Sequence, residues 1–173
     1  PIGQALQGPP NTTLSGRPAV TVTLWLNYQV SGLSPWSYHV FNIALHVLNA
    51  WLAFLLIDWM LRRAGRPPRL ARLVAACAAL VWVVHPLTSS AVTYVVQRTE
   101  ALAAGAYLAT LYCALRGTAS STPKRWYVAA VAANILGMAS KEICVTAPLV
   151  VLLFDRALSG DGWRAVFRKR AGL

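Results

Sequence analysis

Acidic residues are nearly absent from this chain. Of 173 residues only five are Asp or Glu, against sixteen Lys and Arg, and charged residues together reach just 12%. Soluble domains carry about twice that share, so the balance argues against one. Cysteine is down to three. Cys77, Cys113 and Cys144 each lie in or beside an apolar run, and no two have metal-type spacing, so they read as small buried hydrophobes. GxGxxG, Walker, GxSxG and HExxH signatures are all missing, which argues against a cytoplasmic nucleotide-binding enzyme. The match of Asn11-Thr12-Thr13 to a glycosylation acceptor is too common a pattern to carry weight.

What is present is hydrophobic: 57% of the residues, with seven Trp and six Tyr of the kind that populate membrane interfaces. The net charge of +11 would suit a nucleic-acid binder. The basic residues, however, cluster in short loops between apolar runs, with no basic surface interleaved with aromatics, so no nucleic-acid partner is expected.

The central stretch is Tyr38 to Leu61, YHVFNIALHVLNAWLAFLLIDWML. It is long and apolar enough to cross a bilayer, yet it carries His39, Asn42, His46 and Asn49 at steps of three, four and three. At 3.6 residues per turn these fall within an arc of about 80°. A polar seam on a membrane helix must face protein or a wet cavity. Steps of seven between His39 and His46 separate them by about 10 Å, too far for one metal ion, so no metal site is assigned to His39, His46 and His85.

Four further apolar runs follow, over about 70–85, 99–115, 126–139 and 143–158. Ser15 and Pro18 open a short helix to about Val30, too short to span and rich in interfacial aromatics, and residues 88–98 read as amphipathic, with Ser90, Thr93, Tyr94, Gln97 and Arg98 on one face. The expected fold is all-α: a polytopic transmembrane bundle of about five spans with interfacial helices. Pro148 should kink the fifth. Placing loops on alternate sides sends Arg17, Arg98 and Lys141 to one side and the remaining thirteen basic residues to the other. The positive-inside rule makes the second side cytoplasmic. His39, His85, Arg98, Glu100, Lys141 and Glu142 then share the outer side, with Arg17 and Asn27.

Each candidate has a plain structural reading beside a functional one. His46 and Asn49 lie deeper and suit interhelical hydrogen bonding. His39 and Asn42 could line a cavity. His85 before Pro86 is either a helix-terminal residue or a group for proton transfer. Arg98 has the guanidinium fork that fits phosphate oxygens, and Glu100 lies two residues on. In Ser140-Lys141-Glu142, Lys141 is a second cation for an anionic headgroup, with Glu142 to orient it or to act as acid or base. Asp58 and Asp155, beside arginines near the inner ends, read as structural partners.

After the strings R-P, N-Y and G-L-x-P come three blocks in order, Y-H-x-x-N-x-x-x-H-x-x-N-A, V-H-P-L-x-S-x-A-V-x-Y-V-x-x-R-x-E-x-L-A and S-K-E-x-x-V-x-x-P-L-V-x-L-x-x-D, spread over roughly Arg17 to Asp155. They resemble the membrane domain of the transmembrane and tetratricopeptide-repeat proteins and their bacterial O-mannosyltransferase-like relatives. The resemblance implies a multi-spanning glycosyltransferase that moves a hexose from a polyprenyl-phosphate-sugar donor to an acceptor hydroxyl on the extracytoplasmic side. It implies membrane lipid, that donor, and a protein or glycan acceptor as partners, and a bacterial inner membrane as location. Catalytic candidates are His39, His85 and Glu142; substrate-binding candidates are Arg17, Asn42, Arg98, Glu100 and Lys141. The cofactor question stays open, between none and a divalent metal.

The family also has a preceding span and an acidic pair in its first outer loop. No acid precedes Asp58 here. Residues 1–173 are therefore expected to be a piece of a longer protein, with the catalytic carboxylate upstream of Pro1 and the repeats downstream of Leu173. The rival readings are a transporter of lipid-linked substrates and a non-catalytic membrane subunit.

Overall fold

The computed structural model describes residues 14–88 and 90–159. The opening loop, Asn11 and the basic residues Arg164, Arg168, Lys169 and Arg170 lie outside them. Among the described residues the architecture is all-helical. The α-helices are α1 (Pro18–Ser31), α2 (Trp36–Arg63), α3 (Pro68–Val84), α4 (Ser90–Thr93), α5 (Arg98–Thr118), α6 (Pro123–Met138) and α7 (Ala147–Ser159). Short 3₁₀ turns occupy Pro86–Thr88, Val95–Gln97 and Glu142–Thr146.

Proline and glycine set most of these bounds. Pro18, Pro68 and Pro123 each sit in the first turn of a helix, where the missing N–H costs nothing. Gly32 ends α1 with φ +57°, its amide donating to the Tyr28 carbonyl at 2.8 Å. Gly65 closes α2 at φ +78°, a backbone region that favours glycine. His85 is extended, as a residue before proline must be, and α3 stops there.

Several expected details change. The position before α1 is Arg17 rather than Ser15, and its side chain makes no capping bond. The stretch before α5 is not one amphipathic helix. Tyr94 adopts an extended conformation between two short turns, so residues no longer advance 100° at each step. Arg98 is buried while Tyr94 and Val96 are exposed. Pro148 does not kink the last helix but lies in its first turn, and the 3₁₀ turn ahead of it takes up the break. Cys144 is buried, but Cys77 is exposed on α3.

Among the described residues one helix, α2, is by itself long and apolar enough to cross a membrane. Its 28 residues extend about 42 Å, against a hydrocarbon core of about 30 Å. α3, α6 and α7 have 17, 16 and 13 residues and reach only about 20–26 Å.

α5 is the hub. It packs against α2, α6 and α7, and α3 packs on α2. Cross-contacts fix direction: Asn42 meets Arg98, Asn49 meets Ala101, and Leu56 packs with Leu111. α2 and α5 therefore run in parallel, and α7 runs with them, its Phe154 and Leu158 against the Leu56–Leu111–Leu115 cluster. The burial pattern is inverted relative to a soluble protein. Asn42, His46 and Asn49 are 0, 6 and 2% exposed, while Val47 and Trp51 on the same helix are each 57% exposed. The buried face of α3 is Ala71, Ala75 and Ala79, and that of α5 includes Ala101, Ala103, Ala106, Ala114 and Gly117. Small residues at the helix contacts and large apolar ones outside are what a lipid solvent selects.

Candidate functional site

The site gathers where α1 and the N-terminal parts of α2 and α5 meet the break between α6 and α7. Arg98, the first residue of α5, is fully buried. Its Nε donates to Asn42 Oδ1 on α2 at 2.9 Å, its Nη1 donates to Asn27 Oδ1 on α1, and its Nη2 donates to the Tyr38 carbonyl at 3.1 Å. The Phe41 ring covers the guanidinium carbon at 4.4 Å from the ring centre. Three neutral acceptors and an aromatic face thus replace water around one charge. Asn27 in turn donates to the Ser37 carbonyl at 3.1 Å, and Asn42 Nδ2 to the Tyr94 carbonyl at 3.4 Å. This one side chain pins α1 and α2 to the start of α5.

Around this clamp lie two ion pairs. Lys141 pairs with Glu100, and Arg17 pairs with Glu142 at 3.6 Å. Glu142, one of whose two expected roles was to orient Lys141, pairs with Arg17 instead. Lys141 is extended, with φ −157° and ψ 142°, and successive side chains on an extended backbone point to opposite sides. The break is held by Gly137. A Cβ there would lie 2.8 Å from Cys144 Sγ and 3.1 Å from Ala106 Cβ, so glycine lets the turn close against α5. The Ala19 amide donates to the Ala139 carbonyl at 3.2 Å and ties α1 to the same corner.

Below the ion pairs an open groove of about 600 Å³ runs between α2, α3 and α5. Ala53 and Ile57, then Ala78, Ala79 and Trp82, then Ala103, Ala104, Tyr107 and Leu108 line it, with Ile143 and Glu100 completing the wall. Glu100 is the charged residue of that lining. The Glu100 and Lys141 side chains are 51% and 28% exposed. The groove is apolar along its length and meets an ion pair at one end, the shape an amphiphile with a charged head requires.

The remaining candidates go elsewhere. His39 Nδ1 approaches the Val92 carbonyl at 3.5 Å, a marginal contact. His85 is exposed, and its Nδ1 accepts from the Leu87 amide at 3.2 Å within its own turn. His46 Nε2 meets the Val83 carbonyl at 2.9 Å, its ring stacked on Trp82, and so satisfies a free carbonyl at the end of α3. Asn49 donates to the Ala101 carbonyl at 2.9 Å. Asp58 pairs with Arg62 at 2.9 Å one turn on. Among the described residues no group of three or more His, Cys, Asp or Glu converges to hold a metal.

Sequence reasoning missed the groove and Gly105. A Cβ on Gly105 would lie 2.5 Å from Asn49 Oδ1, so this glycine makes room for the inner end of the polar seam. The run of small residues from Ala103 to Ala106 was the available signal.

Protein O-mannosyl-transferase Tmtc2 of Drosophila melanogaster is 31% identical over 157 residues, covering 85% of this chain and 16% of that protein. The human TMTC2 and TMTC4 O-mannosyl-transferases are 30% and 31% identical over 146 and 163 residues, covering 82% and 84% of this chain. The aligned stretch amounts to 16% and 21% of those two proteins, so the chain spans about a sixth to a fifth of such relatives. No family model matches the chain, and no solved structure does. Over most of its length the chain is thus similar to proteins named as O-mannosyl-transferases of the transmembrane and tetratricopeptide-repeat family.

Proposed function

We propose that this chain is part of an integral-membrane glycosyltransferase that moves a hexose, mannose by its relatives' names, from a polyprenyl-phosphate-sugar to an acceptor hydroxyl on a protein or glycan. The observation that carries the reading is the apolar groove ending at the Glu100–Lys141 pair. A prenyl chain fits such a groove by its lack of polar groups, and its phosphate would find Lys141 at the mouth. In the reaction the acceptor oxygen bonds to sugar C1, the C1–O(phosphate) bond breaks, and its electron pair leaves with the phosphate. The acceptor proton goes to a base, the carboxylate that the resemblance puts upstream of Pro1. Lys141 stabilises charge growing on the leaving phosphate.

The other residues take supporting roles. Arg17, held by Glu142, lies beside the mouth as a second cation. His39 lies on α2 beside the clamp, Asn42 is part of it, and Arg98 positions α1 and α2 for the site instead of contacting ligand. His85 remains a candidate for proton transfer at the end of α3. A divalent metal, if the enzyme uses one, would take ligands from outside this set. The working face is extracytoplasmic, opposite the end that collects Arg62, Arg63, Arg66, Arg69, Arg72, Arg116, Lys124 and Arg125. A bacterial inner membrane is the location the sequence resemblance implies, whereas the relatives named above are animal proteins. A transport path is disfavoured because the His46 ring and the Asn49 Nδ2 are engaged with backbone carbonyls.

The test is release of polyprenyl phosphate from labelled donor by the intact protein. Lys141→Met should raise the KM for donor about tenfold, the scale of one lost charge-assisted contact. No turnover with any lipid-linked sugar would overturn the enzyme reading.

A further inference from the structure

The carboxylate at the mouth of the groove is unexpected for a site that receives an anion. Glu100 lines the groove and sits on the very cation offered to a phosphate. It lowers the affinity for any anionic ligand, and the chemistry of the reaction gives that cost a use. The donor is a phosphodiester with one negative charge. When the C1–O bond breaks and the electron pair stays with the phosphate, the product is a monoester, with a charge of about −1.5 to −2 near neutral pH. The leaving lipid is therefore more anionic than the arriving one. A site holding Lys141 alone would keep its product.

We propose that Glu100 is the residue that discriminates between the two lipid species, admitting the phosphodiester and expelling the phosphomonoester. This rests on the donor reading above. The other charges in this corner do not supply the effect. Arg98 is buried and engaged with Asn27, Asn42 and Tyr38, and Arg17 and Glu142 are paired with each other. Glu100 is both on the groove wall and half exposed, so its carboxylate acts on whatever headgroup meets Lys141. Because the repulsion scales with ligand charge, removing it favours the monoester over the diester by about tenfold for roughly one extra unit of charge a few ångströms away.

The experiment compares farnesyl phosphate with its methyl phosphodiester, binding to the intact protein in uncharged-lipid nanodiscs. The wild type should bind the diester at least as tightly as the monoester. Glu100→Gln should shift the ratio about tenfold toward the monoester, with stronger inhibition of turnover by added polyprenyl phosphate. Glu100→Asp should keep the wild-type ratio, which a merely structural role would not require. Lys141→Met should weaken both ligands. An unchanged ratio in Glu100→Gln, with Lys141→Met still weakening both, overturns the discrimination while leaving the donor site intact. Binding of both ligands indifferent to Lys141→Met overturns the donor reading and this proposal with it.

Discussion

Arg98 Nε donates to Asn42 Oδ1 at 2.9 Å across the α5–α2 contact, with both residues fully buried. The bond joins a charged donor to a neutral acceptor where water is excluded, so each partner depends on the other. Asn42→Ala leaves a buried guanidinium N–H without its acceptor and should cost about 1–3 kcal/mol. Thermal unfolding in detergent reads the loss. Arg98→Lys should not rescue function, because an ammonium cannot span acceptors on α1 and α2 with a planar fork.

Gly105→Ala should destabilise through a single contact. The new methyl would lie 2.5 Å from Asn49 Oδ1, and Asn49 would have to swing away from the Ala101 carbonyl. Overpacking of this kind costs about 1–3 kcal/mol. Adding Asn49→Ala removes the clashing atom, so the double variant should unfold at a higher temperature than Gly105→Ala alone. Strict additivity of the two would rule out the contact as the cause.

Gly137→Ala should act on the site from a distance. The methyl would press on Cys144 Sγ and Ala106 Cβ and spread the break that presents Lys141. The expected outcome is a higher KM for donor, with Cys144→Ala in the same chain restoring part of it. A KM unchanged in Gly137→Ala would show that the turn does not set the position of Lys141.

The orientation can be read by labelling. Ser34 and Arg66 are exposed residues before and after α2. With native cysteines replaced, an impermeant maleimide should label Ser34→Cys in intact cells and Arg66→Cys only after permeabilisation. The reverse pattern would place the groove mouth on the cytoplasmic side.

Much of the fold was legible because its signals are local. Prolines at 18, 68 and 123 start helices and Pro86 ends one, through the φ they impose and the N–H they lack. The seam from His39 to Asn49 showed as a period; Asn42, His46 and Asn49 are buried as a seam in lipid requires, while His39 at its outer end is only partly covered. The weak point was the stretch before α5, where a helical period was projected onto residues that include an extended Tyr94.

The sequence by itself determined the helical class, the apolar α2, the crowding of basic residues into a few loops and the polar stripe. Each follows from composition or from the 3.6-residue repeat, and neither needs a partner segment. Only the tertiary structure decided what the charges do. Arg98 turned inward because three acceptors from α1 and α2 converge on it, and Lys141 met Glu100 instead of Glu142 because one extended residue sends neighbouring side chains apart. Those pairings depend on the register between helices some 40 to 70 residues apart in sequence, which no local pattern encodes.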